Sequence, residues 1–275
     1  MRLLSTERSR AGLLLLSLAL IGGSGCITAS VISQVRSDAR QRERERTEQA
    51  DSQARIAAAR AAATDGDPAT TVRLAQALIQ PVAGVNKYDV EQAVQLLDLA
   101  AKQDYAPAQY LLGWIYITGS GDGNAVSRDS RMATPADPAR GLALLKQAAS
   151  RACTYEGRDR YTNNRKLNVA IGIASVYRLG TGVPQDPAQA DLWRARAALH
   201  CPRSYLAPLR YVIGMPEPLV WARLDPNTEK TRPQIAALLL AMTPAQIAAA
   251  EDKERRLRQA VAESEREYPA PPAEK

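Results

Sequence analysis

Phenylalanine is absent from this 275-residue chain, histidine occurs once and cysteine only three times. With a single histidine, and with no Cys-x-x-Cys or His-Glu-x-x-His spacing, the sequence offers no zinc site. A nucleophilic cysteine needs a histidine that converges on it, whereas the neighbours His200 and Cys201 point apart on a helix. The sequence therefore predicts no metal, no cofactor and no catalytic residue.

Aromatic residues make up only 5% of the chain, so leucine, isoleucine, valine and alanine have to form its core. No glycine-rich loop stands between a strand and a helix, which excludes the usual phosphate-binding loops. The formal net charge is +7 and the pI is near 9.4. This charge permits acidic partners but identifies none.

A segment that begins with aspartate and ends with two alanines occurs three times. The copies begin at Asp89, Asp137 and Asp186, about 49 residues apart, which is a period typical of stacked repeats. Aspartate suits a helix N-cap, and Pro138 and Pro187 suit the first helical position. Small and large apolar residues recur at steps of three and four, so each copy is predicted to be an amphipathic helix.

A partner helix is predicted ahead of the second and third copies. Residues 106–121 and 168–183 contain the same motif, in which Gly113 corresponds to Ala174. This small residue lets a neighbouring helix come close. Both segments end in a Gly-x-Gly pair, which is expected to supply the positive φ that ends a helix and turns the chain.

These motifs resemble the Sel1-like repeat family, a relative of the tetratricopeptide repeats. Residues 106–121 fit A-x-A-x-Y-x-L-G-x-x-Y-x-x-G-x-G, and residues 186–198 fit D-x-x-x-A-x-x-W-x-x-x-A-A. The resemblance implies an all-α, right-handed α-solenoid of three to four helix-turn-helix repeats, with loops inserted because the period exceeds the family's usual length. It implies a noncatalytic scaffold, since the family shares no catalytic site.

An export signal is predicted at residues 1–25, where arginines precede an apolar run that is shorter than the about 20 residues of a membrane-spanning helix. The junction resembles a lipobox, in which Cys26 carries the lipid, although Gly23 stands where that pattern prefers leucine. An ordinary signal cleaved near Gly25 or Ala29 is the alternative. If Cys26 is lipidated, the absence of aspartate after it favours an outer-membrane lipoprotein in the periplasm.

Composition divides the remaining chain into four segments. Arginines alternate with acidic residues in the first, and because the charges nearly balance and no aromatics interleave, nucleic-acid binding is not expected. The predicted segments are a charged tether or helix at 26–64, the repeat solenoid at 65–224, C-terminal capping helices at 225–268 and a disordered tail at 269–275.

Cys153 and Cys201 both follow the second helix of a repeat, in consecutive repeats. Export would place them in an oxidising compartment, and lipidation of Cys26 would leave them as an even pair. We therefore predict a disulfide. Equivalent points in stacked repeats lie about 10 Å apart, whereas a disulfide needs Cα atoms within about 7 Å, so two buried thiols are the alternative.

The first helices of such repeats are expected to line the concave face. The positions that the motif leaves free for a partner protein are Gln109, Trp114, Thr118, Ala170, Ser175 and Arg178. Trp114 is the best anchor, because partly exposed tryptophans are common hot spots; burial against the preceding repeat is the alternative. The predicted function is a cell-envelope scaffold that binds a protein, with an exopolysaccharide-export scaffold and a hydrolase of cell-wall or antibiotic substrates as alternatives.

Overall fold

The computed structural model shows a helical protein. It describes residues 25–62, 66–79, 88–121, 130–156, 166–201, 218–224 and 228–272. Five of the described helices precede a short β-hairpin: α1 (Gly25–Ala62), α2 (Pro68–Ile79), α3 (Val90–Ala101), α4 (Ala106–Thr118) and α5 (Pro138–Arg151). A 3₁₀ turn lies at Ser130–Met132. The strands β1 (Thr154–Glu156) and β2 (Lys166–Asn168) precede α6 (Val169–Leu179), α7 (Pro187–His200), α8 (Pro218–Leu224), α9 (Thr228–Ala241) and α10 (Pro244–Ser264).

The chain divides into two compact units, residues 1–51 and 52–275. Most of the first unit that the structure describes is the charged part of α1, within the segment predicted as a tether or helix. The predicted signal lies outside the described residues apart from Gly25, and so does the side chain of Cys26. None of the described helices is both long and apolar enough to cross a bilayer.

Aspartate caps begin the second helix of each pair, as the repeat motif predicts. The carboxylates of Asp89, Asp137 and Asp186 each accept the backbone N–H three residues further on, at 3.0, 3.1 and 3.0 Å. A side-chain cap satisfies one of the backbone donors that a helix N-terminus leaves unpaired. These three caps fix where α3, α5 and α7 begin.

Glycines with positive φ end the first helices, again as predicted. Gly119 follows α4 with φ 65°, Gly180 follows α6 with φ 68°, and Gly182 has φ 72°. Gly121 differs, because its φ is not positive. A glycine is needed here because there is no room for a side chain. A Cβ there would lie 2.9 Å from Cγ2 of Val90, so this glycine lets the turn lie against the start of α3.

The helices form the successive pairs α2–α3, α4–α5 and α6–α7, and each pair packs on the next. One buried cluster contains Leu97 and Leu112, and a second contains Ile173 and Trp193. Leu111 on α4 packs against both clusters, so the apolar core continues through the second unit. This arrangement of stacked helix pairs confirms the predicted all-α solenoid class.

Two segments differ from the expectation for loops and tails. One of the loops expected between repeats is not a simple loop, because residues 154–168 contain the antiparallel pair β1–β2, with Tyr155 opposite Leu167. The tail predicted to be disordered from residue 269 begins in an ordered contact, because the carbonyl of Pro269 accepts a hydrogen bond from Arg196. Residues 202–217 of the predicted solenoid lie outside the described residues.

Candidate functional site

The first helices of the three pairs, α2, α4 and α6, form what we call the first-helix face. The second helices, α3, α5 and α7, carry the aspartate caps. The two helices of the second and third pairs are joined in the same way, because the backbone N–H of Asp137 donates to the carbonyl of Tyr116 and that of Asp186 donates to the carbonyl of Tyr177. The backbone geometry is therefore the same in these pairs, and the pairs differ in the side chains that lie between the motif positions.

Trp114 lies half-buried on α4, between its own helix and α6. Its ring meets the ring of Tyr110 edge to face, with centroids 6.3 Å apart. A Cβ on Gly172 of α6 would lie 3.3 Å from its Cζ2 atom, so the glycine makes room for the indole. The indole N–H is buried and has no acceptor among the described residues. Trp114 therefore combines a packed edge with a ring that is still partly exposed.

Burial removes two of the predicted contact residues from the surface. Gln109 is only 1% exposed, and its amide donates to the carbonyl of Ala101 at 3.4 Å. Ala170 is 6% exposed and belongs to the core cluster around α6 and α7. The prediction for these two residues is wrong, because the motif leaves them free in sequence while the neighbouring helices cover them.

The remaining predicted contact residues are accessible to different degrees. Thr118 and Ser175 are half-buried, and each hydroxyl donates to the carbonyl four residues earlier, at 2.8 and 3.0 Å. Arg178 is exposed on α6, and Leu179 beside it is exposed although apolar. The accessible part of the first-helix face therefore runs from Trp114 on α4 to these residues on α6.

The hairpin packs onto the same face, which the sequence did not reveal. Tyr155 on β1 is buried and stacks on Tyr110 of α4, with centroids 4.8 Å apart and planes 25° from parallel. The amide of Gln76 on α2 donates a hydrogen bond to its phenol oxygen. Burial is the main reason that the pKa of Tyr155 is raised. One hairpin residue thus joins α2 to α4.

Cys153 and Cys201 form a disulfide in the structure, with their Cα atoms 5.4 Å apart. Cys153 directly precedes β1, and Cys201 is the C-cap residue of α7. The loops bring the two residues closer than the spacing expected between equivalent points of stacked repeats. The bridge connects the base of the hairpin to the end of the third helix pair.

A buried arginine attaches the C-terminal segment to α7. Arg196 is 2% exposed, and its guanidinium donates to Ser264 Oγ and to the carbonyl of Tyr268, both at 2.6 Å. It also lies over the ring of Trp193, 5.1 Å from the centroid. Burial lowers the pKa of Arg196, although arginine keeps its charge in proteins. The segment after α10 therefore closes over the last helix pair.

His200, the only histidine of the chain, belongs to the same contact. Its Nε2 atom lies 2.8 Å from Oε1 of Glu265. Burial lowers the pKa of His200 and nearby Arg196 lowers it further, while Glu265 opposes the shift. This contact joins α7 to Glu265, the C-cap residue of α10. Within the described ranges, no group of His, Cys, Asp and Glu residues has an arrangement that would hold a metal ion.

The fold and the cap geometry define a helical-repeat protein built from stacked helix pairs. A family model for the Sel1 repeat matches residues 73–105, 106–153 and 168–198, which correspond to the pairs α2–α3, α4–α5 and α6–α7. This match to three Sel1 repeats confirms the resemblance that the sequence motifs indicated. Sel1 repeats mediate protein–protein interaction, and proteins that contain them are generally noncatalytic scaffolds.

Among solved structures, the chain is similar to the crystal structure of a Sel1 repeat protein from Oxalobacter formigenes. The two are 18% identical and superpose with a TM-score of 0.43, over 78% of this chain and 61% of the other. This chain thus spans less than two thirds of that protein's length. The search of curated proteins finds no match.

Proposed function

We propose that this chain is a noncatalytic scaffold that holds a partner protein on its first-helix face. The observation that supports this most strongly is Trp114, whose ring is partly exposed on a Sel1 repeat. Tryptophan is enriched among the residues that dominate binding at protein interfaces. The exposed apolar side chain of Leu179, next to Arg178 on α6, would extend this contact.

We further propose that the scaffold works in the bacterial cell envelope, as a lipoprotein of the outer membrane. The support comes from the sequence: basic residues, an apolar run and small residues lead directly to Cys26. A diacylated cysteine at the mature N-terminus would anchor the chain to the membrane, and the charged helix α1 would follow the anchor directly. The partner is accordingly expected to be an envelope protein.

Site-specific crosslinking tests the scaffold function. A photoreactive amino acid replaces Arg178 on α6 in one variant and Leu99 on α3 in the other; both positions are exposed. After illumination of intact cells, position 178 should give a discrete crosslinked protein that position 99 does not give. Equal products from both positions, or a product from position 99 alone, would show that the first-helix face is not the binding surface.

A further inference from the structure

The surroundings of Tyr155 on the first-helix face resemble a binding pocket for an aromatic side chain. Its wall is the ring of Tyr110, which stacks on Tyr155, and its polar end is the amide of Gln76, which donates to the Tyr155 oxygen. Tyr155 is 5% exposed in this position. A planar ring to stack on and one hydrogen-bond donor are the features that recognise an aromatic side chain with a hydroxyl group.

This pocket adjoins the surface proposed for the partner. Tyr110 forms the wall of the pocket and also meets Trp114 edge to face, so that one aromatic row runs from Tyr155 through Tyr110 to Trp114. A Cβ on Gly172 would lie 3.8 Å from the Tyr110 hydroxyl and 3.3 Å from Trp114, which places α6 beside the same row. A partner bound at Trp114 would therefore lie next to the pocket.

The residue that fills the pocket comes from outside the repeats. The second matched repeat ends at residue 153 and the third begins at 168, so Tyr155 belongs to an insertion between them. The strands that carry it are three residues each, and a two-stranded hairpin of this size is marginal without external packing. The pocket is thus built by the repeats, whereas its occupant is a short added segment.

We propose that the pocket between Gln76 and Tyr110 is a docking site for a tyrosine-like side chain on an extended segment of the partner protein, and that Tyr155 occupies it within the isolated chain. The extended strand β1 shows which backbone conformation the site accepts. This proposal rests on the scaffold function proposed above and names the chemistry of the partner. A partner segment would have to displace Tyr155 or bind once the hairpin has moved.

A peptide supplied in trans tests the pocket. The probe is a labelled peptide with the sequence of residues 153–168, in which serine replaces Cys153, and the protein is the mature chain with Tyr155→Ala. The peptide should bind this variant at least 10-fold more tightly than it binds the wild type, whose pocket is filled. A matched peptide with alanine in place of Tyr155 should bind at least 10-fold more weakly than the tyrosine peptide. Equal binding of the two peptides, or equal binding to the two proteins, would overturn the pocket.

A second variant and a competition experiment distinguish failure of the docking proposal from a folding defect and from failure of the scaffold function. Tyr155→Leu retains much of the buried volume and replaces Tyr155→Ala if circular dichroism shows that the alanine variant does not fold. The tyrosine peptide in excess should also reduce crosslinking from position 178 at least twofold. If the crosslink forms but excess peptide leaves it unchanged, the docking proposal fails and the scaffold function stands. If the position-specific crosslink does not form, the scaffold function fails, and the docking proposal fails with it.

Discussion

Gly113 on α4 and Gly141 on α5 bring the backbones of their helices into direct contact. A Cβ on Gly141 would lie 2.6 Å from the carbonyl oxygen of Gly113, and a Cβ on Gly113 would lie 2.9 Å from the carbonyl oxygen of Gly141. Neither carbonyl can move away without a shift of its helix. The close contact within the second helix pair therefore depends on two residues that lack a side chain.

The substitution Gly141→Ala should destabilise the protein by about 1–3 kcal/mol, because the added methyl group overpacks the contact by more than the helix propensity of alanine gains. Urea unfolding measures this change. Gly172→Ala is the matched control within a helix, since its Cβ would meet side chains only, Trp114 at 3.3 Å and Tyr110 at 3.8 Å. If both variants have the same unfolding free energy, the contact between Gly113 and Gly141 tolerates an added methyl group and the explanation is wrong.

Reduction of the Cys153–Cys201 disulfide should lower the thermal midpoint. The bridge closes a loop with a sequence separation of 48, and the chain-entropy model gives about 4 kcal/mol for such a loop. That corresponds to a shift of about 10 °C in a domain of this size. Scanning calorimetry with and without reductant measures it, and a variant with serine at both positions should not respond to reductant. Peptide mapping that finds both thiols free in the exported protein would contradict the bridge.

Stability should fall as the pH drops below the ordinary histidine pKa of about 6.5. The pKa of His200 is lowered in the folded state, mainly by burial, so the unfolded chain takes up the proton first. The contribution of His200 is therefore present above this pH and is lost towards the lower folded pKa. Urea unfolding between pH 7.5 and 5 should show a smaller loss for His200→Gln than for the wild type. Identical losses would mean that burial of His200 does not control this pH range.

Cys26 should carry lipid. Replacement by alanine should move the protein from the membrane fraction to the soluble periplasmic fraction and abolish palmitate labelling, because the acylated thiol would be lost. Fractionation and labelling of cells that express the two forms measure this. A wild type that is already soluble would contradict the anchor, as would labelling that persists in Cys26→Ala.

The helix pairs could be predicted because their signals are local. An aspartate cap such as Asp137 bonds the backbone three residues away, and Gly119 adopts its positive φ directly after α4. These features recur in sequence with the repeat. The same logic predicted the C-terminal helix, where Thr243 and Gln246 form a capping box.

The candidate site could be predicted only in part, because its contacts join distant segments. Tyr155 lies in a polar stretch, and its hydrogen-bond partner Gln76 is 79 positions earlier. Gln109 was predicted to be accessible because the repeat motif leaves its position free, yet the structure buries it against the end of α3. Arg196 also has no local signal, since its acceptors Ser264 and Tyr268 follow about 70 residues later.

The central claim is that a partner binds at Trp114, and the dissociation constant of the protein captured by crosslinking tests it most directly. Binding is measured at 25 °C for the wild type, Trp114→Ala and Ile115→Val. Ile115 is the matched control, because it is buried on the same helix and its substitution lowers stability without changing the face. Trp114→Ala should weaken binding about 30-fold, equivalent to about 2 kcal/mol, while Ile115→Val stays within about twofold of the wild type. Wild-type affinity in Trp114→Ala, or an equal loss in both variants, would contradict the claim.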